Sequence, residues 1–359
     1  MRFVPMKLRP NVIALLAGSL LAAVPQAHAL NILLCNDDGF TAANLRALYQ
    51  RLQAAGHKVI ISASVDNQSG RGGYMSFLTP IPRIAATYVD PYSGSTVTPR
   101  AVKATYPNLA GQPGIGTDPN DSKIFYVNGS PVMACLYGMD VQSPKNFGGA
   151  PDLVISGPNE GNNLGHINAS SGTVNNTYYA INRNLLAIAV SDSTTTQVEF
   201  TALTPASRAW EVADIVVNLV KTLVDKKSEA GGKLMPQGVG LNVNIPEFSP
   251  GAGATLPFKM TQMGQATGFA PAFYEDIGAT PIGASFGIPA GRGLAGISLV
   301  TSGTTLPTGI VIPTDNSPAS EGNVIAAKSG VSVSVIEGAP DARRSNVEAM
   351  KIKLNTLAR

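Results

Sequence analysis

Cysteine is scarce in this sequence of 359 residues: Cys35 and Cys135 are the only two. A cysteine-built metal cage or thiol nucleophile therefore finds no support. Each lies in an apolar stretch, Cys35 after Ile32-Leu33-Leu34 and Cys135 shortly after Pro131. Spacing alone does not bring their Cα atoms within bridging distance, so the sequence reads as two buried free thiols rather than a disulfide. A basic surplus is lacking too, once the N-terminus is set apart. Arg2, Lys7 and Arg9 flank the start of a largely apolar run from Asn11 to Val24, and Ala27-His28-Ala29 puts small residues at the −3 and −1 positions of a cleavage site. That is the pattern of a secretory signal peptide over 1–29, cut after Ala29, with an apolar run short for a retained membrane anchor. Removal takes three of the 26 basic residues and none of the 23 acidic ones, leaving 23 against 23. Balanced charge excludes the overall basic signature of a nucleic-acid binder. No second apolar run is long enough to span a bilayer. The expected product is exported, periplasmic or secreted, with no membrane attachment after cleavage.

What is present from Asn31 onward alternates buried-strand runs with amphipathic stretches. Ile32–Cys35, Val59–Ile61, Ile124–Val127, Leu153–Ser156, Ala187–Val190 and Leu241–Ile245 read as strands apolar on both faces. Between them, Leu45, Leu48, Tyr49 and Leu52 follow helical spacing, with Thr41 placed to cap the helix and Gly56 to end it. Helices are also expected near Pro131–Tyr137 and Thr173–Asn184, and along Val212–Leu223, with Trp210 in the packing and His57 in a structural turn. This alternation predicts an α/β fold, a mostly parallel sheet flanked by helices, over a core of 30–249. Two regions break the pattern. Residues 88–121 read as a loop insertion rich in Gly, Pro, Ser and Thr. Residues 250–359 read as a Gly/Ala/Pro-rich, hairpin-rich C-terminal extension, suited to an oligomer contact, with strand hints at Gly296–Val300 and Gly309–Ile312 and an alternating run at Val331–Val335.

In parallel sheets ligands bind beyond the carboxyl ends of the strands. Three polar, Gly-rich segments fall there: 36–40, 66–73 and 157–165. In the first, Asp37 and Asp38 follow a buried strand directly. Adjacent carboxylates repel unless a cation intervenes, and Gly39 permits the turn by which both can converge. Oxygen-rich surroundings suit a hard divalent cation, Mg²⁺, Mn²⁺ or Ca²⁺. The residues alone leave open a helix cap beside an exposed charge. The second segment offers Ser69, Gly70 and Arg71 with backbone amides able to cradle phosphate, or serves as an ordinary polar loop. The third brings Asn159 and Asn163, after which Ser171-Gly172-Thr173 opens a helix whose start can seat an anion.

Asn36-Asp37-Asp38-Gly39, Asn67-Gln68-Ser69-Gly70, the run 151–157 with Asn159, Gly161 and Asn163, and Ser171-Gly172-Thr173-Val174 together resemble the SurE family of survival-protein nucleotidases. The resemblance extends to 241–246 and 330–334. It implies a Rossmann-like core, a homo-oligomer, and hydrolysis of phosphate monoesters, typically nucleoside monophosphates, with one divalent cation per subunit. It further implies Asp37, Asp38, Ser69 and Asn159 as metal ligands, one aspartate also orienting the attacking water. Gly70, Asn163 and Ser171-Gly172-Thr173 would bind phosphate. His166 is a candidate acid for the leaving alkoxide, and Arg71 for steering the anion. The chain departs from the family's pattern at His166-Ile167, at Asn175–Tyr179 and at Asn128-Gly129-Ser130, all around the expected pocket. Those departures leave an exported nucleotide- or phosphate-binding protein without turnover as the alternative reading.

Overall fold

Ile32-Leu33-Leu34-Cys35 is apolar on both of its alternating faces, and in the computed structural model both faces are covered. The structure describes residues 29–89, 95–266, 268–306, 308–314, 317–338 and 344–354. The expected signal peptide falls, apart from Ala29, outside the described residues. Strand β1 (Asn31–Cys35) leads through helix α1 (Ala43–Ala54) to β2 (Lys58–Ser64). The 88–121 region holds the two-residue strands β3 (Tyr88–Val89) and β4 (Thr96–Val97), helix α2 (Arg100–Ala104) and strand β5 (Ile115–Asp118). Then come β6 (Asp121–Val127), α3 (Pro131–Tyr137), α4 (Ser143–Phe147), β7 (Leu153–Glu160), α5 (Gly172–Ile181), β8 (Ala187–Asp192), α6 (Arg208–Asp225) and β9 (Val239–Ile245). The C-terminal part adds β10 (Phe258–Thr261), β11 (Ala270–Tyr274), α7 (Pro281–Ser285), β12 (Gly296–Val300), α8 (Glu321–Ala326), β13 (Val331–Glu337) and α9 (Arg344–Lys353).

Among the described residues nine strands form one sheet in the order β10-β13-β9-β8-β7-β1-β2-β6-β5. The six central strands from β9 to β6 run parallel, and β5 and β13 close them antiparallel. This is the expected mostly parallel, Rossmann-like sheet flanked by helices. Period-2 alternation sorts β1 between two layers: Ile32 and Leu34 pack in the cluster containing Leu45, Leu48, Val212 and Val216 of α1 and α6, while Leu33 and Cys35 join Cys135, Ala180 and Ile181 of α3 and α5. Each such fully buried aliphatic side chain contributes ~1.5–3 kcal/mol, so a strand apolar on both sides belongs at the centre of the sheet.

The chain builds outward from β1 to β2 and β6, then returns to build β7, β8 and β9 on the other side. Strand order thus reverses between β1 and β7, and in such sheets this switch point, at the carboxyl ends of the two strands, is where ligands bind. Cys35 pairs with Ser156, so the segments that follow emerge side by side.

Three expectations are corrected. Cys35 and Cys135 are bridged, with Cα atoms 5.3 Å apart: β1 and α3 meet in one layer, a proximity that sequence spacing does not encode. The cap of α1 is Ala42, without a side-chain hydrogen bond, and the Thr41 hydroxyl is buried without a partner among the described residues. Antiparallel bridging of Ala42 with Glu199, not a side-chain cap, fixes the start of that helix. The hint at Gly309–Ile312 resolves to a single bridge, Thr305 with Val311, whereas Gly296–Val300 pairs with β11 as a hairpin.

Candidate functional site

Asn36 ends β1 by folding its own side chain over the turn: its Oδ1 accepts from the amides of Asp37 at 2.8 Å and Asp38 at 3.3 Å. Gly39, at φ +108°, completes a bend that an L side chain would strain. Both aspartates are almost wholly buried, 2% and 1% exposed. Asp37 Oδ1 accepts the Thr173 hydroxyl at 2.7 Å. Gly172 makes that approach possible, since a Cβ there would lie 2.8 Å from Asp37 Cβ and 2.6 Å from Pro131 Cγ. The start of α5, expected to seat phosphate, therefore holds Asp37. Ser171 spends its hydroxyl capping the helix, accepting from the Val174 amide at 3.1 Å.

Asp38 is held by β7: its Oδ2 accepts the Glu160 amide at 2.8 Å. Its Oδ1 is buried with no partner. Asn159, one residue before Glu160, donates through Nδ2 to Gly161 O at 2.7 Å, leaving its own Oδ1 buried and unpartnered. A buried oxygen without a donor costs ~1–3 kcal/mol, and here two such oxygens belong to residues on adjoining strand ends. Burial raises Asp37, opposed chiefly by the Thr173 hydroxyl. Burial likewise raises Asp38 well above the usual carboxylate range, with Asp37 and then Glu160 adding repulsion. A hard divalent cation would satisfy both oxygens and reverse the repulsion. Among the described residues no three of His, Cys, Asp and Glu gather as a metal cage. The fitting donor set is two carboxylates completed by neutral amide and hydroxyl oxygens.

Ser69 and Gly70 lie exposed on the turn after β2, as does Arg71. That turn is fastened to the neighbouring segments twice: Gln68 N donates to Asp37 O at 2.8 Å, and Gly72 N to Ser170 O at 3.0 Å. Asn163 is turned into a polar network with β8 and β9. Its Nδ2 donates to Ser191 Oγ at 2.8 Å, and its carbonyl accepts from Asn242 and Asn244. His166 is half-buried in the turn Gly165–Ala169 and donates its amide to Gln265 O at 3.4 Å. His57 accepts the Leu30 amide at Nδ1, 3.2 Å away. The departures from the family's pattern have local work. Asn175 Nδ2 donates to the carbonyls of Asn168, Ala169 and Ser171, and Asn176 Nδ2 to Ser156 Oγ. Asn128 bonds the carbonyls of Pro82 and Arg83, and Ser130 caps α3 while donating to Tyr74 O at 2.5 Å.

Two charged groups escaped the sequence reading. Arg100, only 8% exposed, reaches from α2 to Glu160, Glu199 and the backbone of Asp38. A lone arginine in a charge-poor segment was the available signal, together with the acid set between Asn159 and Gly161. Glu321, fully buried, accepts from the Gly165 amide at 2.8 Å, Asn242 Nδ2 at 2.9 Å, Ser334 Oγ at 3.0 Å and Asn168 Nδ2 at 3.3 Å. Its place after Ser320 in a helix start gave no hint of that reach.

A parallel α/β sheet with a buried aspartate pair at its switch point defines a class of protein that binds ligands at strand ends. The chain belongs to the family described as Survival protein SurE, which matches residues 32–268. An acid phosphatase from Yarrowia lipolytica is 34% identical over 218 residues, 60% of this chain and 56% of that protein, so the match spans little more than half of that relative. The 5'-nucleotidase SurE of Methanocella arvoryzae is 31% identical over 62% of this chain and 68% of its own length. The SurE protein crystal structure from Aquifex aeolicus shares the fold, with a TM-score of 0.56, 20% identity, and coverage of 89% of this chain and 98% of that one.

Proposed function

We propose that this chain is a divalent-metal-dependent phosphomonoesterase acting on nucleoside monophosphates. The observation that carries the reading is the pair of buried, unpartnered oxygens, Asp38 Oδ1 and Asn159 Oδ1, beside Asp37 at the switch point. Relatives bearing the names 5'-nucleotidase and acid phosphatase support the substrate class. Asp37, Asp38, Asn159 and Ser69 would hold one Mg²⁺, Mn²⁺ or Ca²⁺. Such a cation, when bound, supplies Lewis-acid neutralisation of charge on the phosphoryl oxygens. The chain's own part is orientation. Thr173 fixes Asp37, the Glu160 amide fixes Asp38, and both carboxylates are kept from bulk water, in a buried setting where their field is stronger. The Ser69–Gly73 turn, tied to Asp37 O through Gln68, is where the phosphate meets backbone amides, with Arg71 exposed beside it.

Phosphate release from a nucleoside monophosphate, assayed with EDTA and after restoring Mn²⁺ or Mg²⁺, tests the reading. Activity should vanish with EDTA and return with metal, and Asp38→Asn should lower kcat at least a hundredfold in a folded protein, about 2.7 kcal/mol of barrier. Substrate binding without any phosphate release would make the chain a nucleotide binder instead.

Export through the N-terminal segment belongs to the same proposal, supported by the Cys35–Cys135 bridge, a bond that persists in oxidising compartments. Among the described residues no helix is long and apolar enough to cross a membrane. Homo-oligomerisation is also proposed, through the C-terminal part, where Met260, Phe273 and Ile297 stand 69%, 68% and 58% exposed.

A further inference from the structure

The 88–121 region looks in sequence like an excursion from the fold, yet it sends one side chain into the centre of the site. Arg100 Nη1 donates to Asp38 O at 2.9 Å and to Glu160 Oε2 at 2.7 Å. Nη2 donates to Glu160 Oε1 at 3.0 Å and to Val198 O at 2.7 Å, and Nε bonds Glu199. The Arg100 amide also donates to Asp66 Oδ1 at 2.8 Å. One residue therefore joins the turns after β1, β2 and β7 to the 198–199 segment. Its contact with Glu160 is a two-pronged fork, the geometry that guanidinium offers and ammonium does not.

The position of Glu160 gives this fork its consequence. Its amide sets the direction of the Asp38 carboxylate, and it directly follows Asn159. Its side chain is 3% exposed. Left unpaired, that carboxylate would be a third negative charge beside the Asp37–Asp38 pair, driven to leave the interior or to seize the cation itself. Swinging the side chain carries the 159–160 backbone with it, and so both the bond to Asp38 Oδ2 and the aim of Asn159 Oδ1.

We propose that Arg100 is a positioning residue for the cation site. By neutralising and immobilising Glu160 it leaves Asp38 Oδ1 and Asn159 Oδ1, rather than Glu160, as the oxygens offered to the metal. The inference rests on the cation site of the proposed function and adds a residue that never touches metal or substrate. Arg100 is consumed by protein partners, so it does not bind the phosphate.

The test is a calorimetric titration of Mn²⁺ into the purified full chain, beside steady-state kinetics. Arg100→Gln should weaken Mn²⁺ binding tenfold or more and lower kcat at saturating metal, with KM for the monophosphate within about threefold of wild type. Arg100→Gln combined with Glu160→Gln removes the stranded charge and should recover at least half of the lost affinity on a logarithmic scale. A merely structural ion pair would show no such recovery. A folded Arg100→Gln protein whose Mn²⁺ dissociation constant stays within twofold of wild type overturns the proposal. If that variant does not fold, Arg100→Lys, which keeps the charge but loses the fork, is read in the same way: threefold or greater weakening supports the clamp, and unchanged affinity overturns it. Absence of Mn²⁺ uptake by the wild-type chain would remove the cation site and the clamp's role together, whereas uptake indifferent to Arg100 removes the clamp alone.

Discussion

Thr173 holds one oxygen of Asp37 through a hydroxyl 2.7 Å away, inside a region where neither group meets water. A hydrogen bond to a charged acceptor contributes ~1.5–3 kcal/mol, and removing this donor leaves the Asp37 carboxylate harder to ionise. Thr173→Val keeps the shape and deletes the donor. It should weaken divalent-metal binding by roughly ten- to a hundredfold, the factor that energy converts to, and kcat should fall with it; unchanged metal affinity would show that the bond is incidental. The reason is visible only in three dimensions, because 136 residues separate the partners. Sequence singled out Asp37 and Asp38 because two carboxylates directly after a buried strand require compensation, whereas Asn159 was named a ligand only through the family resemblance. It did not disclose that Thr173 and Ser171 turn their hydroxyls to Asp37 and to a helix cap. The direction of a side chain is decided by tertiary neighbours, which residue type does not record.

At the scale of elements, periodicity placed the parallel strands and the helices α3, α5 and α6, because each has an apolar stripe or run that must be covered. It failed for α2, five residues long, whose value to the fold is one buried guanidinium rather than an apolar face. It was silent, too, on how α8 reaches the site. Glu321 in its first turn binds the turn Gly165–Ala169 and strands β9 and β13 through the Gly165 amide, Asn168, Asn242 and Ser334. Burial raises its carboxyl from 4.5 to about 7, against the pull of those four donors. A pKa raised on folding means the native state holds the proton more tightly than the unfolded chain. The stability contributed is fully present below pH 4.5 and is lost as pH rises through about 7. The shift corresponds to on the order of 3 kcal/mol. Glu321→Gln, which does not titrate, should lose less stability than wild type between pH 5 and pH 8, as read by urea unfolding at both. Parallel pH profiles for the two proteins would mean that Glu321 keeps an ordinary pKa.

The whole molecule is a sheet assembled outward in two directions from β1, and the one covalent cross-link among the described residues sits at that origin. Cys35, the last residue of β1, and Cys135 close a loop spanning 100 residues that holds β2, β5 and β6 and the 88–121 region. Bridging a loop of that length lowers the entropy of the unfolded chain by up to ~4.7 kcal/mol, and removing such a bond typically costs 2–5 kcal/mol. Both sulfurs are inaccessible in the folded state, so reductant alone should leave the native protein intact and active, while reductant during unfolding should not. Paired Cys35→Ala and Cys135→Ala substitutions should move the urea midpoint down by an amount equivalent to 2–5 kcal/mol, and should spare metal binding wherever the protein remains folded. The bridge anchors β1 to α3, whereas Asp37 and Asp38 take their orientation from Thr173 and Glu160. Loss of metal affinity in a folded, bridge-free protein would show that the cross-link, rather than those two hydrogen bonds, sets the geometry of the aspartate pair.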